Sequence, residues 1–228
     1  MSMLKRLLSF LTVILLMASF VSSNVSADDN GLIKGENEKK RIALTFDDGP
    51  HPRFTGQILD ILDEYGVKAT FFVIGVNVQN YYESYLKILE SGCEIGNHTY
   101  SHTNLSSITE EKIRDEILMC ADAISSNTGA GSTKLLRPPQ GACNSDVKKI
   151  AGQLDYDLVF WTIDTMDWAH TPTDAIIDKI LREASDGDII LMHDYVSGKC
   201  SAPEVLRVII PALIERGFEF VTVSEMNM

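Results

Sequence analysis

From Arg41 onward, short apolar runs alternate with segments whose apolar residues recur at helical spacing. "RIALTF" (41–46) reads as a strand, and "TGQILDILDEYG" (55–66) as an amphipathic helix closed by Gly66. "KATFFVIG" (68–75) predicts a second strand and "VQNYYESYLKILESG" (78–92) a second helix ending at Gly92. "CEIGN" (93–97) predicts a short strand, and "SITEEKIRDEILMCADAISSNTG" (107–129) a long helix whose capping box would run from Ser107 to Glu110. "TKLLRPP", "LVFWTID" and "DIILMHD" predict further short strands, "FEFVTV" the last one, with helices starting near Ser145, Thr173 and Pro203. Strands alternating with helices imply a mostly parallel sheet. About seven strand candidates are lean for a complete eight-stranded barrel and suit a trimmed, distorted (β/α) barrel of a single α/β domain.

The first residues break this pattern. Lys5 and Arg6 precede an uncharged run of 15 residues, Leu7 to Val21, and "VSA" (25–27) offers small residues ahead of Asp28. This order predicts a signal peptide over 1–27. The alternative, an uncleaved anchor, needs about 20 apolar residues to span a bilayer. Residues 28–40, "DDNGLIKGENEKK", read as a polar linker, and 41–228 as the folded domain.

Export changes how the composition reads. Loss of residues 1–27 removes two positive charges and no negative ones, taking the formal net charge from −12 to −14. Such a surface disfavours nucleic acid or anionic membrane as partner and leaves a neutral polymer open. Four cysteines in an exported chain permit disulfides, while the absence of a C-x-x-C pair disfavours a cysteine metal cluster or redox motif. Cys143 and Cys200 each follow a predicted strand by a few residues, and a disulfide between them bracing the rim is expected; Cys93 and Cys120 sit in apolar contexts.

The predicted strands end in chemically able residues. "IALTF" runs into Asp47 and Asp48, "CEIGN" into His98, "KLL" into Arg137, "LVFWTI" into Asp164 and "IILM" into His193. Parallel strands present their C-terminal ends at one face, where α/β enzymes hold their sites. "HTYSH" spaces His98 and His102 so that one helical turn would aim both imidazoles the same way. Zinc proteases with this spacing carry a Glu after the first His, where this chain has Thr99, so the base has to come from elsewhere. The adjacent aspartates make an ordinary Asp-Gly turn, and they also offer both missing parts. One carboxylate could complete a ligand set of two histidines and a carboxylate, and the other could act as base. A divalent cation would compensate the like charges. His51 and His170 read as loop residues, Trp161 as core packing, and Trp168 as either core or a wall for a sugar ring.

"TFDDGP" (45–50), "HTYSH" (98–102), "RPPQG" (137–141), "DTMDW" (164–168) and "LMH" (191–193) follow the order of the five motifs of the polysaccharide deacetylase family. This is the NodB-homology domain, or carbohydrate esterase family four, and the resemblance covers Arg41 to Met228. It implies a distorted barrel with a metal-dependent hydrolase site. By the same resemblance, Asp47 is similar to the general base, and Asp48, His98 and His102 to the metal ligands. His193 is similar to the general acid, Arg137 to the residue orienting the base, and Asp164 to the partner tuning the acid histidine. Pro138, Gln140, Trp168 and Leu191 fall at substrate-binding positions. Gln140 stands where relatives often have an aromatic, and Cys93 where they often have His. Asp48 resembles the N-acetylglucosamine-type branch rather than the branch with Asn at that position.

The signal pattern predicts export, a monomer is expected, and the resemblance implies a protein that binds one divalent ion, zinc before cobalt or another, and removes N-acetyl groups from a polysaccharide such as peptidoglycan or chitin. Rival expectations are an O-acetyl esterase on acetylxylan, a non-haem iron oxygenase using the same two-His, one-carboxylate set, and a non-catalytic glycan-binding relative.

Overall fold

The computed structural model describes residues 40–126, 133–196 and 199–226. The expected signal peptide and most of the expected linker lie outside the described residues. Eight strands form one sheet: β1 (Arg41–Asp47), β2 (Thr70–Val73), β3 (Glu94–Asn97), β4 (Leu135–Leu136), β5 (Asp157–Leu158), β6 (Ile163–Asp164), β7 (Asp188–His193) and β8 (Glu219–Phe220). Seven run in the order β5-β4-β3-β2-β1-β7-β6, and β8 pairs with the start of β1. Every one of these ladders is parallel. Among the described residues β5 and β6 share no ladder, so the sheet curls into the distorted, trimmed barrel that was expected, with eight strands where about seven were predicted.

The side-chain period of two divides each long strand between an outer helical layer and the barrel interior. In β1, Ile42, Leu44 and Phe46 join the outer core cluster, whereas Ala43 faces inward. In β7, Ile190 and Met192 belong to the outer layer and Ile189 to the inner one. Asp47 and His193 therefore fall on the inner face at the C-terminal ends of neighbouring strands, paired Cα to Cα. Helices α1 (Phe54–Glu64), α6 (Thr173–Glu183) and α7 (Ala202–Glu215) supply the outer layer through residues such as Ile58, Ile61, Ile176, Ile180, Leu206 and Ile210.

Several predicted boundaries move, each for a local reason. The helix expected over 78–92 is two, α2 (Gly75–Asn80) and α3 (Tyr82–Glu90), because Tyr81 leaves helical geometry at φ −125°, ψ 45°. The long helix α4 (Glu110–Ser125) is capped by Thr109, whose hydroxyl accepts from the Lys112 N–H, not by Ser107, which sits in a preceding 3-10 turn. "LVFWTID" is not one strand: between β5 and β6 the carbonyls of Val159 and Phe160 accept from the Arg137 guanidinium. "FEFVTV" shortens to β8 and gives way to α8 (Val223–Met226), whose Val223 and Met226 pack into the inner core cluster. Helix α5 (Ser145–Gln153) begins where expected, with the Asn144 side chain accepting from the N–H groups of Asp146 and Val147.

All four cysteines are free thiols, so the Cys143–Cys200 disulfide expected from sequence is not formed. Cys143 packs against the Leu105–Ile113–Ile117 cluster and Cys200 against the outer core, two separate apolar environments. No helix of the described residues is long and apolar enough to cross a membrane.

Candidate active site

Asp48 follows β1 directly in a conformation unusual for a residue with a side chain, φ 75°, and its carbonyl accepts from the Asn77 side chain at 2.8 Å. Its Oδ1 lies 3.1 Å from His102 Nε2 and 3.5 Å from His98 Nε2. The two histidines do not share a helical turn, as their spacing suggested. Residues 98–102 form a loop in which Thr99 and His102 take φ 68° and 60°. The loop is pinned at both sides: Gly75 N–H and Val76 N–H at the start of α2 donate to the carbonyls of Thr99 and Tyr100. Glu116 accepts from the backbone and hydroxyl of Ser101. Loop geometry, not helical period, brings the imidazoles together.

This trio is the one group of metal-capable side chains among the described residues whose ligand atoms all fall within 4.8 Å of one another. Asp48 Oδ1 is buried and has no hydrogen-bond donor, a costly state that a cation would relieve. His98 Nδ1 sits 2.7 Å from the Arg137 carbonyl, which fixes Nδ1 as the protonated nitrogen of the neutral ring and leaves Nε2 as the donor pair. The residues present fit a divalent ion.

Burial alone would raise the Asp48 carboxyl, but the close approach of His98 and the charges of His98, His102 and His193 hold it below the usual carboxylate value. Burial pulls His98 down, and the carboxylates of Asp47 and Asp48 outweigh that and raise it. At His102 burial prevails and the ring is lowered.

Asp47 approaches the same His98 nitrogen, with Oδ2 3.7 Å from Nε2. Its Oδ1 accepts from Arg137 at 2.7 Å, and the same guanidinium nitrogen donates to Thr45 Oγ1 at 2.8 Å. Arg137 is fully buried, stacked over Phe72 with its guanidinium carbon 4.1 Å from the ring centroid. Burial lowers its pKa, opposed by Asp47. Sequence reasoning had no signal for Thr45, which orients Arg137 while donating its own hydroxyl to the Ile190 carbonyl.

His193 corrects one assignment. Its Nδ1 lies 2.7 Å from Asp167 Oδ1, and its backbone N–H donates to Asp167 Oδ2. Asp167, not Asp164, is the carboxylate beside His193. Asp164 instead accepts from the Met166 N–H and, at 3.3 Å, from the Trp168 indole, so it orients that ring. Both aspartates lie in "DTMDW", and nothing in that spacing selects which one reaches His193. Burial pulls His193 down, but Asp167, with Asp47 and Asp48, overrides it and raises the ring to about 9.

These groups open on a cavity of about 330 Å³. Asp47, His98, His102 and His193 form its polar floor, and Leu191, Trp161, Trp168, Asp164 and Gln140 its walls. Trp161, read from sequence as core packing, also abuts Gly141, whose φ of 65° suits glycine. Trp168 is half exposed. Pro138, expected to bind substrate, is buried outside the cavity wall and starts the turn that presents Gln140. Gln140 adopts φ 60°, and its side-chain oxygen accepts from Asn104.

Residues 34–159 match the polysaccharide deacetylase family. A peptidoglycan-N-acetylglucosamine deacetylase of Bacillus cereus is 38% identical over 192 residues, covering 83% of this chain and 89% of that protein. The peptidoglycan-N-acetylmuramic acid deacetylase PdaC of Bacillus subtilis is 38% identical over 190 residues, 83% of this chain but 39% of its own length. The crystal structure of the Bc1960 peptidoglycan N-acetylglucosamine deacetylase, bound to an N-oxidanyl-benzamide, superimposes with a TM-score of 0.82 at 36% identity, covering 86% of this chain and 92% of that one. With this fold, this cavity and these relatives, the chain belongs to the polysaccharide deacetylase family, carbohydrate esterase family four, hydrolases that act on the amide bonds of acetylated polysaccharides.

Proposed function

We propose that the chain is an exported, zinc-dependent N-deacetylase acting on N-acetylglucosamine units of a peptidoglycan-type glycan, with acetate as the second product. One observation carries this reading: Asp47, held by Arg137, and His193, held by Asp167, line one cavity together with His98 and His102 of the Asp48–His98–His102 trio. Base, acid and ligand set are then separate groups, as amide hydrolysis requires.

Asp48, His98 and His102 would hold the ion. Bound there, a divalent ion supplies Lewis-acid polarisation of the acetyl carbonyl and a nucleophile at neutral pH. Asp47 accepts the proton of the attacking water on Oδ2, because Oδ1 is committed to Arg137. The buried Arg137 guanidinium donates to that carboxylate and offsets its charge inside the site. His193 has Nδ1 committed to Asp167, so its proton for the departing nitrogen comes from Nε2. A ring raised to about 9 carries that proton at neutral pH. Gln140 lines the cavity and offers its backbone N–H to the developing oxyanion. Trp168 offers an apolar face to a neighbouring sugar ring.

The N-acetylglucosamine assignment is supported by the name of the Bacillus cereus relative and by Asp48 itself. Export is supported by the pattern of residues 1–27. The test is acetate release from N-acetylglucosamine oligomers and from purified peptidoglycan, with chelator-stripped and zinc-restored protein compared. Activity that falls on stripping and returns with zinc supports the reading. No acetate from any acetylated glycan by zinc-loaded protein overturns it, and release from N-acetylmuramic acid alone would move the substrate.

A further inference from the structure

Asp194 follows His193 in the chain, is fully buried and does not line the cavity. Its carboxylate lies against the backbone of Gly49, where a Cβ would overlap both of its oxygens. Thr55 Oγ1 donates to Asp194 Oδ2, and the same Oγ1 accepts from the His51 N–H at 2.7 Å. The Asp194 N–H donates to the Asp47 carbonyl at 3.2 Å. One residue thus touches the turn that carries both aspartates at Asp47 and at Gly49, and through Thr55 at His51. Asp194 Oδ1 has no hydrogen-bond donor although it is buried. A buried carboxyl with an unpaired oxygen costs stability that an apolar side chain would not, so its presence calls for a role.

The turn supplies one. Asp48 stands at φ 75°, a sparsely populated state that persists only when its surroundings over-determine it. The Ile74 N–H holds Gly49 O at 2.9 Å and the Asn77 side chain holds Asp48 O, both from the β2–α2 side. Asp194 bears on the same turn from the β7 side. We propose that Asp194 is a positioning residue that clamps the Asp48–Gly49 turn and so sets the metal affinity of the site. This inference rests on the metal-site reading above, and it concerns a residue that touches neither ion nor glycan.

The experiment is zinc affinity by competition with a chromogenic chelator, on Asp194→Ala, Asp194→Asn and Thr55→Val, beside thermal unfolding of each metal-free protein. Loss of an outer-shell support typically costs about 10–100-fold in metal affinity, which is the loss expected for Asp194→Ala. Thr55→Val is expected to lose less in the same direction. Asp194→Asn keeps the shape and an acceptor for the Thr55 hydroxyl, and retains most of the affinity. A folded Asp194→Ala with wild-type affinity overturns the proposal, as does a lower unfolding temperature in all three variants with affinity unchanged. If Asp194→Ala fails to fold, Thr55→Val decides: wild-type affinity there refutes the clamp. Wild-type protein that binds no zinc would refute the metal site and this inference together. Wild-type protein that binds zinc but releases no acetate would refute the proposed activity alone.

Discussion

His193 Nδ1 and Asp167 Oδ1 stand 2.7 Å apart, and this contact, not one to Asp164, holds the His193 ring. The ring is raised to about 9, so its charged form prevails at neutral pH and is lost as pH rises through that value. Turnover is expected to fall on the alkaline side as that proton leaves. Asp167→Asn removes the raising partner and should move the alkaline limb of kcat to lower pH, whereas Asp164→Asn should leave the limb in place. Profiles of kcat against pH for the two variants check both statements.

The same raised ring links to stability in the metal-free protein. A pKa higher when folded contributes stability fully below the unfolded value of 6.5, and that contribution is lost as pH rises to about 9. Urea unfolding of chelator-treated protein at a series of pH values should show this loss for the wild type and a smaller one for Asp167→Asn.

Asp47 and Asp48 are adjacent, and under the proposed division of base and metal ligand their amides should differ. Asp47→Asn is expected to keep zinc and lose about 10²–10⁴-fold in kcat, the scale of general-base catalysis. Asp48→Asn should lose zinc itself. Arg137→Met strands the buried Asp47 charge and should cost roughly 3–5 kcal/mol in stability, read by urea unfolding.

Zinc has to displace the proton of His98, which its carboxylate neighbours hold above the ordinary imidazole value. Zinc affinity should therefore rise with pH through the ordinary imidazole range and above it. Competition titrations at stepped pH measure the slope, and an affinity independent of pH would contradict the ligand set.

Trp168 is 52% exposed on the cavity wall and contributes little to the core. Trp168→Ala should raise KM on oligomeric substrate by a factor on the order of ten, with little change in kcat or unfolding temperature.

The thiols of Cys120 and Cys200 are pushed up to about 12 by burial and should resist alkylation in the folded protein. Non-reducing peptide mapping is expected to find all four cysteines unpaired.

What the chain determined by itself was local or ordered along it. Alternating apolar runs and helical periods defined a mostly parallel α/β sheet of the trimmed-barrel kind. The residues that end each run, Asp47, Asp48, His98, Arg137 and His193, were legible because a parallel sheet collects strand ends at one face. Tertiary structure decided the pairings between them. Asp167 and Asp164 share one short motif, and only the path of the turn after β6 selects which one reaches His193. The imidazoles of "HTYSH" converge through left-handed residues pinned by α2 and Glu116, contacts from distant segments that no spacing encodes. Cys143 and Cys200 follow comparable strands yet pack into separate clusters, because strand-end position sets a face but not a distance across it. Thr45 and Asp194 were invisible for the same reason: each works through a hydrogen bond or close contact with a residue far away in the chain, which exists only once the sheet has folded.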